Sequence, residues 1–250
     1  MAAKPPAPES PLAKPGALVD LGLTLPVFLL YHAGVVFLGV RNGSDIVTEA
    51  LLRAADGDVR TYLGLTAAIG VTFIGAFAAV GRGEVFAPKK FVAILLEAAV
   101  YAIAMKAAVG YAVGRLFAGH VATGREAAVG LVMSLGAGFY EELAYRVLLF
   151  GLGAKALVLA FTPDRLALVG PNVGLTWRGG LVTALWAAAA SALFSGAHYV
   201  GPLADTFAPD TFVFRALLGL ALTLVFATRG FAAAVWTHLV YDVWVLVLDR

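Results

Sequence analysis

The sequence predicts an all-α protein, a polytopic transmembrane bundle of about seven to eight helices. Of its 250 residues, 61% are hydrophobic and only 14% are charged. Soluble domains contain about 45–50% apolar and about 25% charged residues. Several apolar stretches also reach the roughly 20 residues that a helix needs to cross a bilayer. We therefore expect a multi-pass integral membrane protein.

The N-terminal segment, residues 1–16, is rich in Pro and Ala. Such a segment cannot bury enough apolar surface to fold, which predicts a flexible tail. The apolar run that follows is longer than the core of a signal peptide and lacks a cleavage site of small residues. It is interpreted as a retained span, so residues 17–250 form one transmembrane helical domain.

Polar breaks divide this domain into seven apolar runs, near residues 18–40, 61–80, 91–117, 127–160, 181–199, 211–228 and 231–249. As one α-helix the fourth run would be about 50 Å long, more than the roughly 30 Å hydrocarbon core of a bilayer. It is expected to be either two helices or one tilted helix with an interfacial end. Four glycines are candidate break points: Gly136, Gly138, Gly151 and Gly153.

Composition also excludes several classes of function. The chain has no cysteine, which removes disulfides, a thiol nucleophile and cysteine metal ligands. Its net charge of +2 is too small to indicate a nucleic-acid partner. The high content of Ala, Gly and Val favours a bacterial source, and hence the inner (cell) membrane. Nothing in the sequence indicates an oligomeric state.

Three charged residues lie within the fourth apolar run, where each costs roughly 2.5–3.5 kcal/mol on insertion scales. Glu142 and Arg146 are four positions apart, so they share a helix face and can pair. Glu141 is about 140° away from Arg146 around an α-helix and is left as the spare carboxylate. Tyr145 is spaced to donate a hydrogen bond to Glu141. Taken alone, the Glu142–Arg146 pair also fits a clamp between two helices.

Further polar groups lie in the later spans. Phe194 and His198 are four positions apart near the end of the fifth run, and His238 and Asp242 share one face of the last. A single histidine in a membrane helix usually serves helix packing. Two histidines, an aspartate and the spare Glu141 can together supply a base, a second acid–base group and donors to an oxyanion.

These residues fall into three ordered motifs. EELAYR fits EExxxR, FSGAH fits FxxxH and HLVYD fits HxxxN/D. The ordered set resembles the CPBP (Abi) family of intramembrane endopeptidases, which is related to CAAX-processing proteases of the Ras-converting type. The resemblance covers about residues 127–245, and the first three spans are expected to add little.

The resemblance implies glutamic-type hydrolysis of a peptide bond in a membrane-associated protein or peptide, without a cofactor. Glu141 and His198 would activate water, and His238 with Asp242 would stabilise the oxyanion. Supporting roles fall to Glu142, Arg146, Tyr145 and Phe194.

One residue departs from the family pattern. Many members have Asn at the position of Asp242, and an ionised carboxylate cannot donate to an oxyanion. Asp242 is therefore protonated in its apolar surroundings, orients His238, or belongs to a zinc site, for which two histidines and a carboxylate are a legitimate ligand set. The metal-free alternative is preferred because the family resemblance favours it, and because no two of the four candidates lie in a dedicated ligand motif such as HExxH.

Two non-enzymatic alternatives stay open, a transporter and a membrane scaffold with a buried polar cluster. The sequence has no paired repeats of the kind that transporters usually show. Simple threading brings Glu141 and His238 to similar depths but leaves His198 near the far end of its span. Either that span starts outside the membrane, or the chain at 196–210 turns back toward the site.

Overall fold

The computed structural model describes residues 16–80, 86–113, 124–163, 175–201 and 204–248. All regular structure in these ranges is helical, as predicted. The α-helices are α1 (Ala17–Leu38), α2 (Val47–Ala54), α3 (Val59–Val80), α4 (Pro88–Val113), α5 (Gly124–Gly136), α6 (Gly153–Phe161), α7 (Trp177–Ala197), α8 (Pro209–Arg229) and α9 (Phe231–Val243). Two π-helices follow α5 and α9, π1 (Ala137–Leu152) and π2 (Trp244–Leu248). The predicted N-terminal tail lies outside the described residues except for Gly16.

Seven helical segments in the described ranges are long and apolar enough to cross a membrane. Each overlaps one of the seven predicted runs, so the chain is a multi-pass integral membrane protein. The short helix α2 was not predicted, since it lies in the polar stretch between the first two spans. Large apolar side chains such as Leu30, Phe37 and Leu96 are exposed on the outside of the bundle, as expected for a surface that faces lipid.

The long fourth span is one continuous helical segment, Gly124–Phe161. It does not break at its glycines, but its hydrogen-bond pattern changes there. Gly136 is the last residue of α5 and Gly153 is the first residue of α6. Between them π1 follows the i→i+5 pattern, which is usually limited to single turns and is frequent at functional sites. The charged motif therefore lies in a widened helix.

Helix α9 lies at the centre of the bundle and contacts α1, α4, α5, α8 and π1. Helices in lipid gain no hydrophobic energy by associating, so small residues at their interface allow close packing. Ala232, Ala233 and Ala234 are almost completely buried in α9. On π1, a Cβ atom added to Gly138 would lie 2.9 Å from the backbone oxygen of Val235. This close approach brings the charged motif of π1 against the histidine-bearing face of α9.

A residue of the first span, α1, caps the N-terminus of α9. Asp20 is buried in α1, and its Oδ2 and Oδ1 atoms accept hydrogen bonds from the backbone N–H groups of Phe231 (3.0 Å) and Ala232 (3.3 Å). A carboxylate at a helix N-terminus satisfies unpaired amides and interacts favourably with the positive end of the helix dipole. Gly230 precedes α9 with φ of 101°, a conformation that favours glycine.

Candidate active site

The predicted pair of Glu142 and Arg146 is present in π1. Arg146 Nη1 lies 3.1 Å from Glu142 Oε1, and the two side chains are only 1% and 0% exposed. Arg146 Nη2 donates to the backbone oxygen of Gly219 at 3.4 Å. The guanidinium carbon also lies 4.3 Å from the ring centre of Phe194. The pair therefore links π1 to both α7 and α8.

Glu142 also contacts the catalytic candidate His238. Nδ1 of His238 lies 2.7 Å from Glu142 Oε1, the same oxygen that faces Arg146. Because an ionised carboxylate only accepts, the ring donates through Nδ1. On its other side, His238 Nε2 lies 3.5 Å from Asp242 Oδ2. The imidazole is thus held between two carboxylates, one from π1 and one from its own helix.

His198 lies directly after α7. Its Nδ1 atom is 3.0 Å from the backbone oxygen of Phe194, and a carbonyl only accepts, so Nδ1 carries the hydrogen. In the neutral ring, Nε2 is then the acceptor. The described residues between Ala197 and α8 have irregular backbone, and the N–H of Asp205 donates to the His198 carbonyl at 2.9 Å. This turn agrees with the alternative in which the chain after the fifth span folds back toward the site.

One cavity of about 500 Å³ is lined by all four predicted catalytic residues, Glu141, His198, His238 and Asp242. An adjoining cavity of about 720 Å³ is also lined by Glu141 and His198. The structure therefore brings together residues that lie up to 101 positions apart in the sequence (from 141 to 242). His198 thus lines the same cavity as Glu141 and His238, although simple threading placed it near the far end of its span.

Phe194 is the aromatic centre of the site. It is buried, and its ring centre lies 5.1 Å from that of His198 and 6.1 Å from that of His238. Tyr145 packs edge-on against it at 5.2 Å. The hydrogen bond expected from Tyr145 to Glu141 is absent from the described part of the chain, and a different side chain donates to Glu141.

That side chain is Asn42, which the sequence analysis missed. Its Nδ2 atom donates to Glu141 Oε1 at 2.8 Å. Asn42 lies in the segment RNGSD that directly follows the first span. Its Oδ1 accepts from the backbone N–H of Ser44 at 2.8 Å, the local turn that Asn commonly forms. This Asx turn was the available sequence signal, but it did not indicate the distant partner Glu141.

The same candidate residues were tested as ligands for a metal ion. No group of three or more His, Asp or Glu side chains in the described ranges is arranged to hold one. Both ring nitrogens of His238 face carboxylates, and Nδ1 of His198 faces a carbonyl. Contacts of this kind through Nδ1 are also made by histidines that bind metals, so the metal-free mechanism stays a prediction.

Part of the chain matches the model of a known protein family. The family model described as "Type II CAAX prenyl endopeptidase Rce1-like" matches residues 123–244. No curated protein and no solved structure matches the chain. The matched residues extend from the start of α5 to the end of α9 and contain all three motifs. The resemblance of this part of the chain to the CAAX-processing endopeptidases, predicted from those motifs, is therefore confirmed over residues 123–244.

Proposed function

We propose that this protein is an intramembrane endopeptidase that hydrolyses a peptide bond of a membrane-associated protein or peptide. The observation that carries the proposal is the single cavity lined by Glu141, His198, His238 and Asp242. Ionisable groups inside a membrane bundle are costly, and they usually mark a functional site. The family match supports a peptidase. The high content of Ala, Gly and Val supports a location in the cell membrane of a bacterium.

Glu141 and His198 have the chemistry needed to activate water. In the proposed mechanism, the water oxygen attacks the carbonyl carbon of the scissile bond, and its proton moves to the Glu141 carboxylate. Nε2 of neutral His198 accepts the second hydrogen bond of the water and orients it. When the C–N bond breaks, Glu141 returns the proton to the leaving amine. General base catalysis of this kind contributes typically about 10²–10⁴-fold.

His238 and Asp242 are suited to the charge that develops on the carbonyl oxygen. The Glu142 contact fixes the imidazole ring through Nδ1, and Asp242 lies beside Nε2. A protonated Nε2 can then donate to the oxyanion, and donors aimed at developing charge are a major source of catalysis. Asp242 is assigned the role of orienting His238, which does not require the carboxylate itself to donate.

The test uses purified protein in lipid nanodiscs and two quenched fluorescent peptides. Both peptides end in a CAAX-type sequence with a free carboxylate, and one is farnesylated on its cysteine. Wild type should cleave at least one of them. Glu141→Gln and His198→Ala should each lower turnover by at least about 10²-fold while leaving the thermal unfolding profile near that of wild type.

Glu126→Gln is the matched control. It makes the same carboxylate-to-amide change in the first turn of α5, where Glu126 is exposed, and should cleave like wild type. Near wild-type cleavage by Glu141→Gln would overturn the proposed role of Glu141. If Glu141→Gln does not fold, the result would favour the scaffold alternative. If Glu141→Gln changes proton flux in the absence of peptide, the result would favour a transporter. Cleavage abolished by a strong chelator would favour a zinc-dependent protease.

A further inference from the structure

We infer that Asn42 is a positioning residue that holds the carboxylate of Glu141 in the orientation needed to activate water. The inference rests on the proposed function of Glu141. It extends the site beyond residues 123–244 to the polar segment after the first span.

The contact has a defined direction. Asn42 Nδ2 donates to Oε1 of Glu141 at 2.8 Å, and Oε2 of Glu141 accepts no hydrogen bond from the described residues. One oxygen is therefore fixed by an amide donor, and the other is left to accept the proton of a water molecule. The charged and titratable groups that line the same cavity are Asp205, Arg215, His198, His238, Tyr241 and Asp242. None of them makes a hydrogen bond to Glu141 in the described ranges.

Asn42 is itself held firmly. It is 5% exposed, its backbone N–H donates to the Tyr31 hydroxyl at 3.0 Å, and its Oδ1 accepts from the backbone N–H of Ser44. The Tyr31 hydroxyl in turn donates to Asp45 Oδ2 at 2.7 Å. With Oδ1 taken by Ser44, the Nδ2 group is directed to Glu141. A residue held in this way through its backbone N–H and its side-chain oxygen is pre-organised to orient a reactive group.

The close packing of the loop against the fourth span explains how Asn42 reaches Glu141. Gly39 ends α1 with φ of 68°, which lets the chain reverse its direction. A Cβ atom added to Gly136, at the start of the charged region, would lie 2.8 Å from Cβ of Asn42 and 2.5 Å from the Tyr31 ring. The missing side chain at Gly136 makes room for the loop beside π1.

Asn42→Asp tests the inference with almost no change of shape. Oδ1 can still accept from Ser44, but the donor to Glu141 is replaced by a second acceptor. We expect kcat for the cleavable CAAX-type peptide to fall about 10²-fold, since small misplacement of a reactive group has effects of that size. KM should change little, because substrate binding is not the role assigned to Asn42. The activity that remains should also require a higher pH, because a second carboxylate opposes ionisation of Glu141.

A second readout does not depend on activity. Asn42→Asp alone should lower the thermal midpoint, because two carboxylates then face each other. Adding Glu141→Gln should restore it, because the Gln amide can donate to the new Asp. Gly64→Ala, which places its Cβ in open space on α3, should resemble wild type in both assays.

The possible failures are distinguishable. If wild type cleaves the peptide and Asn42→Asp matches it in kcat and in pH profile, the inference is wrong while the proposed function stands. If adding Glu141→Gln does not restore the thermal midpoint, the contact is not energetically coupled and the inference also fails. If wild type shows no cleavage that depends on Glu141, the proposed function itself fails.

Discussion

Oε1 of Glu142 lies 2.7 Å from Nδ1 of His238 and 3.1 Å from Nη1 of Arg146. A single buried oxygen therefore joins the ion pair of π1 to the catalytic candidate on α9. Glu142 and Arg146 were expected to be structural, and their pairing is confirmed. The shared oxygen means that their structural role and the orientation of His238 are coupled, so disturbing either partner should affect both stability and turnover.

Arg146→Ala should be strongly destabilising. It leaves Glu142 as a buried charge without its cation, and breaking a buried pair in this way costs about 3–5 kcal/mol. It also removes the guanidinium that packs on Phe194. The expression yield and the midpoint temperature of thermal unfolding in detergent should both fall.

The control for that variant is Arg178→Ala, since Arg178 is exposed in the first turn of α7. Surface substitutions usually change stability by less than about 0.5 kcal/mol. The double variant Glu142→Leu with Arg146→Leu should be more stable than Arg146→Ala, because apolar replacement of both partners is often tolerated. An Arg146→Ala protein as stable as wild type yet inactive would place Arg146 in the chemistry instead.

Gly138→Ala should separate π1 from α9. The new Cβ would lie 2.9 Å from the Val235 oxygen and 3.0 Å from Leu239 Cβ. The first contact is with backbone, which cannot rotate away, so overpacking should cost about 1–3 kcal/mol. Peptide cleavage should fall with it, since π1 and α9 supply three of the four catalytic candidates.

Gly75→Ala is the matched helical control for this packing test. Its Cβ would meet nothing within 4 Å, and Ala is favoured over Gly in helices by about 0.5–1 kcal/mol. The control should be as stable as wild type or slightly more so. Equal melting temperatures for Gly138→Ala and wild type would show that the interface is looser than the structure indicates.

The bundle could be predicted from the sequence to a large extent, because membrane spans follow from length and apolar composition alone. All seven predicted runs overlap a candidate span. The π-helical pattern between Gly136 and Gly153 could not be predicted in this way. Apolar composition does not distinguish i→i+4 from i→i+5 bonding, and the rotation of 100° per residue used for Glu141 and Arg146 holds only for an α-helix. The four-residue pairing of Glu142 with Arg146 was nevertheless correct.

Asp242→Asn distinguishes a role of Asp242 in the metal-free mechanism from a role as a zinc ligand. If Asp242 only orients His238, or if a donor is useful there, the Asn variant should keep activity or gain it, because an amide can donate to an oxyanion. The measurement is the turnover of the CAAX-type peptide, beside metal analysis of the purified wild type. About one equivalent of zinc together with an inactive Asn variant would contradict the metal-free mechanism.

Asp20→Ala should weaken the junction between the first and last spans. It removes the acceptor for the Phe231 and Ala232 amides, and loss of such a cap costs about 0.5–2 kcal/mol. Asp20→Asn keeps one carbonyl acceptor. Its thermal unfolding midpoint should lie between those of Asp20→Ala and wild type. Identical midpoints for all three proteins would rule out a stabilising cap.

The site was predicted less completely than the fold. Motif spacing pointed to the candidate residues on π1, at the end of α7 and on α9, because the chemistry and the helical repeat both appear within a few positions. The sequence analysis did not connect the loop after α1 with the site, although Asn42 in that loop contacts Glu141. Asn42 lies 99 positions before Glu141, and no local pattern links two residues at that separation. Only the reversal of the chain after Gly39 brings them together.

The cap formed by Asp20 has a consequence for how the protein is made. Its two acceptor atoms lie on α1, and the amides that donate hydrogen bonds to them are 211 and 212 positions later in the sequence. Spans enter the membrane in the order of synthesis, so the cap can form only after Phe231 and Ala232 have been made. A chain arrested before Phe231 lacks α9, which contacts α1, α4, α5, α8 and π1. The packing of α1 against α9 is therefore a late step in assembly of the bundle, although α1 is among its first helices to be made.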